Sequence, residues 1–220
     1  MNPFPLTYEI QHQEEYSRFL PLVKWLLVIP NVFVLFFVII AAIFAWIGAF
    51  FAVLFTARYP EGIFNFLVGV GRWGARLGAY VCLLTDKYPP FSIHPQPDDT
   101  VVYDVAYPEQ GVDRWRPLVH WILIFPYHLI AAVLGYVVGI IAFLSFFTIL
   151  FTKKIPTGMF DIALNGIRWQ ARSNVYAAWM VTKYPPFEWD PDQPSRTTAA
   201  TAVQPTAGEP PAQPPAPPTA

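Results

Sequence analysis

Two pairs of arginines have a spacing that suits the binding of phosphate. Arg72 and Arg76 stand four positions apart, and the same spacing returns 96 positions later at Arg168 and Arg172. Because residues four apart lie on one face of a helix, each pair would present two guanidinium groups side by side. Guanidinium groups bind phosphate and carboxylate oxygens, and anionic headgroups are the phosphates of a membrane. The pattern therefore predicts contact with lipid headgroups or with an anionic partner.

Aromatic residues accompany both arginine pairs in the shared pattern RW-x-x-R-x-x-x-Y. A tryptophan follows the first arginine, and a tyrosine stands four positions after the second. Indole and phenol rings are enriched at the boundary between membrane and water. We therefore predict a lipid- or partner-binding site made of eight residues: Arg72, Trp73, Arg76, Tyr80, Arg168, Trp169, Arg172 and Tyr176.

No other residues in the sequence have a spacing that indicates catalysis or metal binding. Of the four histidines, His120 and His128 are eight positions apart, but a zinc site needs a third ligand near them. Cys82 is the single cysteine. The sequence has no glycine–lysine phosphate loop, no HExxH and no nucleophile elbow. We therefore expect no enzymatic activity, no cofactor and no metal.

The composition indicates a membrane protein. Hydrophobic residues make up 55% of the chain and charged residues 13%, a balance too apolar for an ordinary soluble domain. The formal net charge of -1 argues against a nucleic-acid partner, which would require a basic surface. The first 20 residues have no apolar h-region, so we expect the first long apolar segment to act as its own insertion signal.

The chain is a tandem duplication with an offset of 96 residues. The segment PLVKWLLVIP returns as PLVHWILIFP, and both copies close on the sequence YPPF. We therefore expect one structural unit that occurs twice, over residues 1–95 and 96–190. The remaining segment, 191–220, is rich in proline and alanine, and we expect it to be disordered.

Each repeat is predicted to be an all-α membrane unit with a short strand in its polar lead. A lead-in helix, an apolar helix long enough to cross a membrane, and an amphipathic helix with the arginines follow. The predicted bounds in the two repeats are 6–11 and 101–107 for the strand, 16–29 and 114–125 for the lead-in helix, 30–56 and 126–152 for the apolar helix, and 63–85 and 159–182 for the arginine helix.

The number of membrane crossings depends on the arginine helix. If it lies at the interface with its arginines toward headgroups, the chain crosses twice and the linker 92–113 lies opposite both termini. If it crosses, the chain crosses four times and the linker shares their side. A central arginine costs about 2.5–3.5 kcal/mol on insertion scales, so we expect two crossings. The charges of the loops favour four, and the alternative stays open.

The arginine pattern and the closing YPPF resemble those of an uncharacterised bacterial membrane family. This family is known as tandem copies in actinobacteria and is catalogued as a domain of unknown function. The resemblance covers about residues 19–91 and 115–187. It implies a multi-pass protein of the bacterial plasma membrane, and it carries no activity or substrate.

Two functional hypotheses follow. The first is a non-enzymatic accessory or scaffold module that contacts anionic lipid, a partner membrane protein or a second copy of the chain. The alternative is a small oligomeric transporter or lipid-handling protein with its site between the two repeats. The first is favoured because the sequence offers no catalytic groups and two crossings are few for a transport path.

Overall fold

The structure is a computed structural model that describes residues 4–189. Within this range two strands and four helices follow one another: β1 (Leu6–Ile10), α1 (Leu20–Thr56), α2 (Glu61–Val81), β2 (Val101–Val105), α3 (Arg116–Thr152) and α4 (Thr157–Ala177). The order strand, long helix, shorter helix occurs twice, so the predicted helical architecture with two repeats is confirmed. The segment predicted to be disordered, 191–220, lies outside the described residues.

The predicted lead-in helix and apolar helix form one continuous helix in each repeat. α1 and α3 each run for 37 residues, with Pro30 and Pro126 in their interiors. The prediction that these prolines begin a new helix is therefore wrong. The helix starts are marked instead by Pro21 and Pro117 in the first turn, where the missing N–H group costs nothing.

Contacts on both sides of Pro30 keep α1 continuous. Before the proline, Lys24 donates from Nζ to the carbonyl oxygen of Thr85 over 2.7 Å. After it, Asn31 donates from Nδ2 to the carbonyl oxygen of Pro89 over 2.8 Å. The segment that follows α2 thus binds α1 on both sides of Pro30, which offsets the backbone hydrogen bond that a proline removes.

The arginine helices end earlier than the predicted residues 85 and 182. In α2, Leu83 adopts a left-handed conformation with a φ of 64°. The N–H group of Leu84 then bonds back to the carbonyl oxygen of Ala79 over 2.9 Å, which closes the helix. Trp179, at the equivalent position of the second repeat, has a φ of 60°. The sequence predicts the end of each arginine helix at YPPF because proline ends a helix. The left-handed residue ends the helix before YPPF is reached.

The two strands form a small antiparallel sheet, one strand from each repeat. Tyr8 of β1 lies opposite Tyr103 of β2 at the centre of the register. Both tyrosines are buried, whereas Thr7 and Asp104, which are paired on the other face, are exposed. This alternation is the one expected of a sheet with one covered face.

The long helices of the two repeats run in opposite directions. The N–H group of Tyr16, just before α1, donates to the carbonyl oxygen of Lys153, just after α3, over 2.8 Å. The N–H group of Val112, just before α3, donates to the carbonyl oxygen of Ala57, just after α1, over 2.9 Å. These equivalent bonds define a pseudo-two-fold axis that passes between the central tyrosines of the sheet.

The arginine helices lie between the long helices and the sheet. α2 packs on α1 and contacts β2, and α4 packs on α3 and contacts β1. Most large apolar side chains of α1 and α3 remain exposed. By length and composition, these two helices of the described chain are able to cross a membrane.

Candidate functional site

Arg72 binds the strand of the other repeat. Its Nε donates to the carbonyl oxygen of Tyr103, and its Nη1 to the carbonyl oxygen of Ile93, each over 3.0 Å. Its Nη2 lies 3.0 Å from a carboxylate oxygen of Asp104. All three nitrogen atoms of this guanidinium group therefore have partners in the linker and in β2.

Arg76, one turn later, is almost completely buried. It donates to the carbonyl oxygens of Ser92 and His94, each over 2.8 Å. It also forms an ion pair with the carboxylate of Asp99. Together, the two arginines attach the segment after α2 to the flank of that helix.

Arg168 makes the equivalent contact in the second repeat. Its Nε donates to the carbonyl oxygen of Tyr8 in β1 over 2.8 Å. Arg172, one turn later, is also buried and is engaged by contacts within the chain.

The sequence predicts that the arginines lie on an outer stripe that faces headgroups. In the structure they do not lie there. The strand and linker backbone supplies carbonyl oxygens at the place where phosphates were expected. Carbonyl oxygens accept hydrogen bonds from a guanidinium group, as phosphate oxygens do, and a buried cation needs such partners. Contact of these residues with lipid or with a partner protein stays a prediction.

The two tryptophans of the pattern lie in the interior instead of at a membrane boundary. Trp73 donates from Nε1 to the side-chain oxygen of Asn31 over 2.7 Å. Trp169 stacks on Tyr127, with ring centroids 4.8 Å apart. Asn31 and Tyr127 occupy equivalent positions of α1 and α3, so each tryptophan joins the arginine helix to its long helix.

The two tyrosines of the pattern each receive a basic group from the long helix. The Nζ atom of Lys24 lies 4.6 Å from the ring centroid of Tyr80, and it pairs with Asp86 at 2.9 Å. The ring of His120 stacks on Tyr176 at 4.1 Å. These contacts lie inside the protein and explain why α1 and α3 carry a basic residue near their starts.

A cavity of about 920 Å³ lies between the two repeats. All four helices contribute to its walls, and the rings of Tyr8 and Tyr103 line it from the sheet. Three glycines of α2, spaced along one face, belong to the lining: Gly71, Gly74 and Gly78. A Cβ atom added at Gly74, at Gly78 or at Gly139 of α3 would meet no atom within 4 Å. These three glycines therefore leave the cavity wall open where a larger residue would project.

The lining is mainly apolar, and exposed residues surround the mouth. Ile43 of α1 and Tyr136 of α3 line the cavity and are themselves exposed, so the opening lies between the long helices. Gln170 and Asn174 supply polar groups on the α4 wall. The hydroxyl group of Tyr8 donates to a backbone carbonyl oxygen within the protein, and burial raises its pKa far above the usual value. This arrangement suits an apolar ligand with few polar atoms.

Each repeat matches the sequence pattern of the family described as Domain of unknown function (DUF4389), over residues 21–92 and 114–188. The chain belongs to this family. The predicted tandem copies of a domain of unknown function are therefore confirmed. No curated protein and no solved structure matches the chain. The matched DUF4389 segments contain the four helices but neither strand, so the sheet beneath the cavity lies outside them.

The sequence predicts the arginine pattern in each DUF4389 copy but does not predict the cavity. A signal was present, because Gly71, Gly74 and Gly78 follow a helical spacing of three and four positions. Small residues on one helix face permit either close packing or an open space. Only the position of the other repeat distinguishes these two outcomes: Gly71 packs against the ring of Tyr103, whereas Gly74 and Gly78 face the cavity.

Proposed function

We propose that this protein is a non-enzymatic membrane protein that holds an apolar chain, such as the acyl tail of a lipid, between its two repeats. The cavity of about 920 Å³ carries this proposal. Its size lies within the range of about 300–1,000 Å³ that is usual for ligand sites. The mainly apolar lining offers an acyl chain surroundings as apolar as the lipid tails that it leaves, so its entry carries no desolvation penalty.

The place of the opening supports a membrane lipid as the ligand. The mouth lies between α1 and α3, whose exposed side chains are apolar. A chain that enters there passes from lipid into the cavity without crossing water. Gln170 and Asn174 offer amide groups to the ester or hydroxyl end of such a molecule. A location in the bacterial plasma membrane, which the family resemblance implies, agrees with this source.

The chemistry of the lining supports binding over catalysis. Cys82 is the one nucleophilic thiol there, and burial raises its pKa. A thiol with a raised pKa stays protonated at neutral pH and reacts slowly. The tyrosines of the sheet are likewise kept neutral by burial, which raises the pKa of Tyr103.

The lipid-handling hypothesis therefore gains support over the scaffold hypothesis that the sequence favoured. The scaffold hypothesis drew in part on the paired arginine helices, and Arg72 and Arg76 are engaged within the chain. Assembly with a partner protein or a second copy is compatible with a lipid in the cavity and remains a separate proposal.

Lipid analysis of cavity-filling variants tests the proposal. Gly74→Leu and Gly139→Leu place a side chain in the open space. We expect both variants, purified in mild detergent, to lose a lipid that co-purifies with the wild type, measured by mass spectrometry of the extracted protein. Gly62→Leu and Gly158→Leu are matched controls, because these glycines also have open surroundings but do not line the cavity. Equal lipid content in all four variants would rule out the cavity as the lipid site.

A further inference from the structure

The position of the sheet restricts how the protein can sit in a membrane. Tyr103 of β2 lies against Gly71 and Arg72, which are halfway along α2. Tyr8 of β1 is bound by Arg168, which is halfway along α4. The sheet is therefore placed at mid-length of the arginine helices, on the pseudo-two-fold axis.

If α1 and α3 crossed the bilayer, this sheet would lie at mid-depth. The two helices run in opposite directions, so a crossing pair has its pseudo-two-fold axis in the membrane plane, at mid-depth. The outer face of the sheet would then lie in hydrocarbon, together with the Asp104 side chain, which is 64% exposed. An exposed carboxylate and an open sheet edge are not tolerated there.

The linker between the repeats leads to the same conclusion. It runs past α2 from end to end, with Asp98 beside Lys87 after the helix and Val112 beside Ala57 before it. Asp98 and Glu109 on this path are exposed. A crossing α1 would carry this irregular, charged segment through the bilayer with it, where its backbone groups would have no water to bind.

The exposed apolar surface runs the full length of both long helices. Phe33, Phe44 and Phe55 of α1 are spaced by 11 residues, which is about three helical turns, so they share one face. These residues and their counterparts in α3 are each between 58% and 72% exposed: Phe33, Phe44, Phe55, Leu129, Ile140 and Phe151. The surface is continuous from end to end and is not limited to a central band.

Exposed basic residues occur at both ends of this surface. Arg18, Lys153 and Lys154 lie at the end where α1 begins, and Arg58 and Arg114 lie at the end where α3 begins. A crossing protein would place these clusters on opposite sides of the membrane, although basic residues concentrate on the cytoplasmic side. In one plane, both clusters meet the anionic headgroups of the same leaflet.

We propose that α1 and α3 lie in the plane of the membrane and insert their apolar faces into a single leaflet, without crossing it. This inference rests on the membrane residence in the proposed function, but not on a ligand in the cavity. The pseudo-two-fold axis then stands normal to the membrane. The sheet, the linker and both helix turns face water on one side, and the cavity opens into the acyl region of the leaflet.

Labelling of two cysteines tests this arrangement. Glu14 and Glu61 are exposed and lie at opposite ends of α1. In a Cys82→Ala background, we expect Glu14→Cys and Glu61→Cys to react with an impermeant maleimide from the same side of oriented membrane vesicles. Two crossings and four crossings both place these positions on opposite sides. Reaction from opposite sides would therefore overturn the inference.

A depth measurement provides the second test, on the full chain in vesicles of phosphatidylethanolamine and phosphatidylglycerol. Spin labels are attached, again without Cys82, to three variants: Phe33→Cys, Phe44→Cys and Phe55→Cys. We expect all three labels to lie at the same depth, as measured by comparing their relaxation by oxygen with their relaxation by a water-soluble nickel reagent. The midpoint of α1 lies between Phe33 and Phe44, and Phe55 is about 16 Å further along the helix than Phe44, so a crossing helix places Phe44 far deeper than Phe55. A deeper Phe44 position would refute the in-plane arrangement while leaving the lipid cavity standing, and Ile140→Cys repeats the comparison on α3. Chains that fail to float with the vesicles would overturn both proposals.

Discussion

The Nε atom of Arg168 donates a hydrogen bond to the carbonyl oxygen of Tyr8 over 2.8 Å, across 160 positions of the chain. Its equivalent, Arg72, makes the same bond to Tyr103 over 3.0 Å. The arginine of each repeat thus holds the strand of the other repeat. Neither repeat completes its own interior, and the two are interlocked around the sheet.

Separated halves of the chain should therefore be unstable alone and should associate. Residues 1–95 lack the strand that Arg72 binds, and residues 96–189 lack the strand that Arg168 binds. We expect the two halves, co-expressed with one tag, to purify together in mild detergent. Arg168→Gln removes the Nε donor to Tyr8 and should weaken this association. Halves that purify singly as stable monomers would show that the exchange of strands contributes little.

The buried ion pair between Arg76 and Asp99 should contribute strongly to stability. Arg76→Gln leaves the carboxylate of Asp99 and two linker carbonyl groups without their cation. Loss of one partner of a buried pair typically costs about 3–5 kcal/mol. Asp113→Asn is the control, because the Asp113 side chain is 77% exposed and its pair should contribute less than about 1 kcal/mol. Denaturant unfolding in detergent measures both, and equal losses would contradict the assignment.

Two glycines of α4 should respond in opposite ways to alanine. A Cβ atom at Gly166 would lie 2.6 Å from a side-chain methyl carbon of Val138 and 3.3 Å from the carbonyl oxygen of Leu134. Gly166→Ala should therefore force α3 and α4 apart and cost about 1–3 kcal/mol. Gly158 has open surroundings, so Gly158→Ala should be neutral or stabilise by up to about 1 kcal/mol. Thermal unfolding of the pair tests this, and a tolerated Gly166→Ala would mean looser packing than described.

Alkaline pH should destabilise the protein partly through Tyr16. Burial raises the pKa of Tyr16 from 10.0 to about 12. Above pH 10 the unfolded chain releases this proton while the folded chain retains it, so the contribution is complete below pH 10 and is lost as the pH rises to 12. Tyr16→Phe should lose less stability than the wild type over this range, by up to about 1.4 kcal/mol per pH unit.

Unfolding midpoints at pH 8, 10, 11 and 12 measure this difference. At pH 8 the variant should be weaker by about 1 kcal/mol, because the hydroxyl group of Tyr16 donates to the carbonyl oxygen of Leu84 over 3.3 Å. Identical pH dependence in both proteins would show that Tyr16 is not buried in solution.

Local signals were sufficient for the elements of each repeat. The apolar runs predicted helices that end at Thr56 and Thr152, and the structure has both ends there. The strands were predicted at 6–11 and 101–107 and are present within those ranges. The prediction that Pro30 begins a new helix was wrong. Lys24 and Asn31 hold α1 on both sides of this proline through contacts with residues far along the chain.

The sequence by itself determined the duplication, because the two copies can be aligned directly. It also determined the apolar helices and the arginine stripe, because each of these depends on residues within a few turns of one another. The tertiary structure decided which oxygens the arginines bind, because a guanidinium group can donate hydrogen bonds both to phosphate oxygens and to backbone carbonyl oxygens. It also decided the opposite directions of α1 and α3, through the bonds from Tyr16 to Lys153 and from Val112 to Ala57. Partners that lie more than 30 positions apart leave no local periodicity, so neither the interlocked strands nor the cavity was readable before the repeats were placed together.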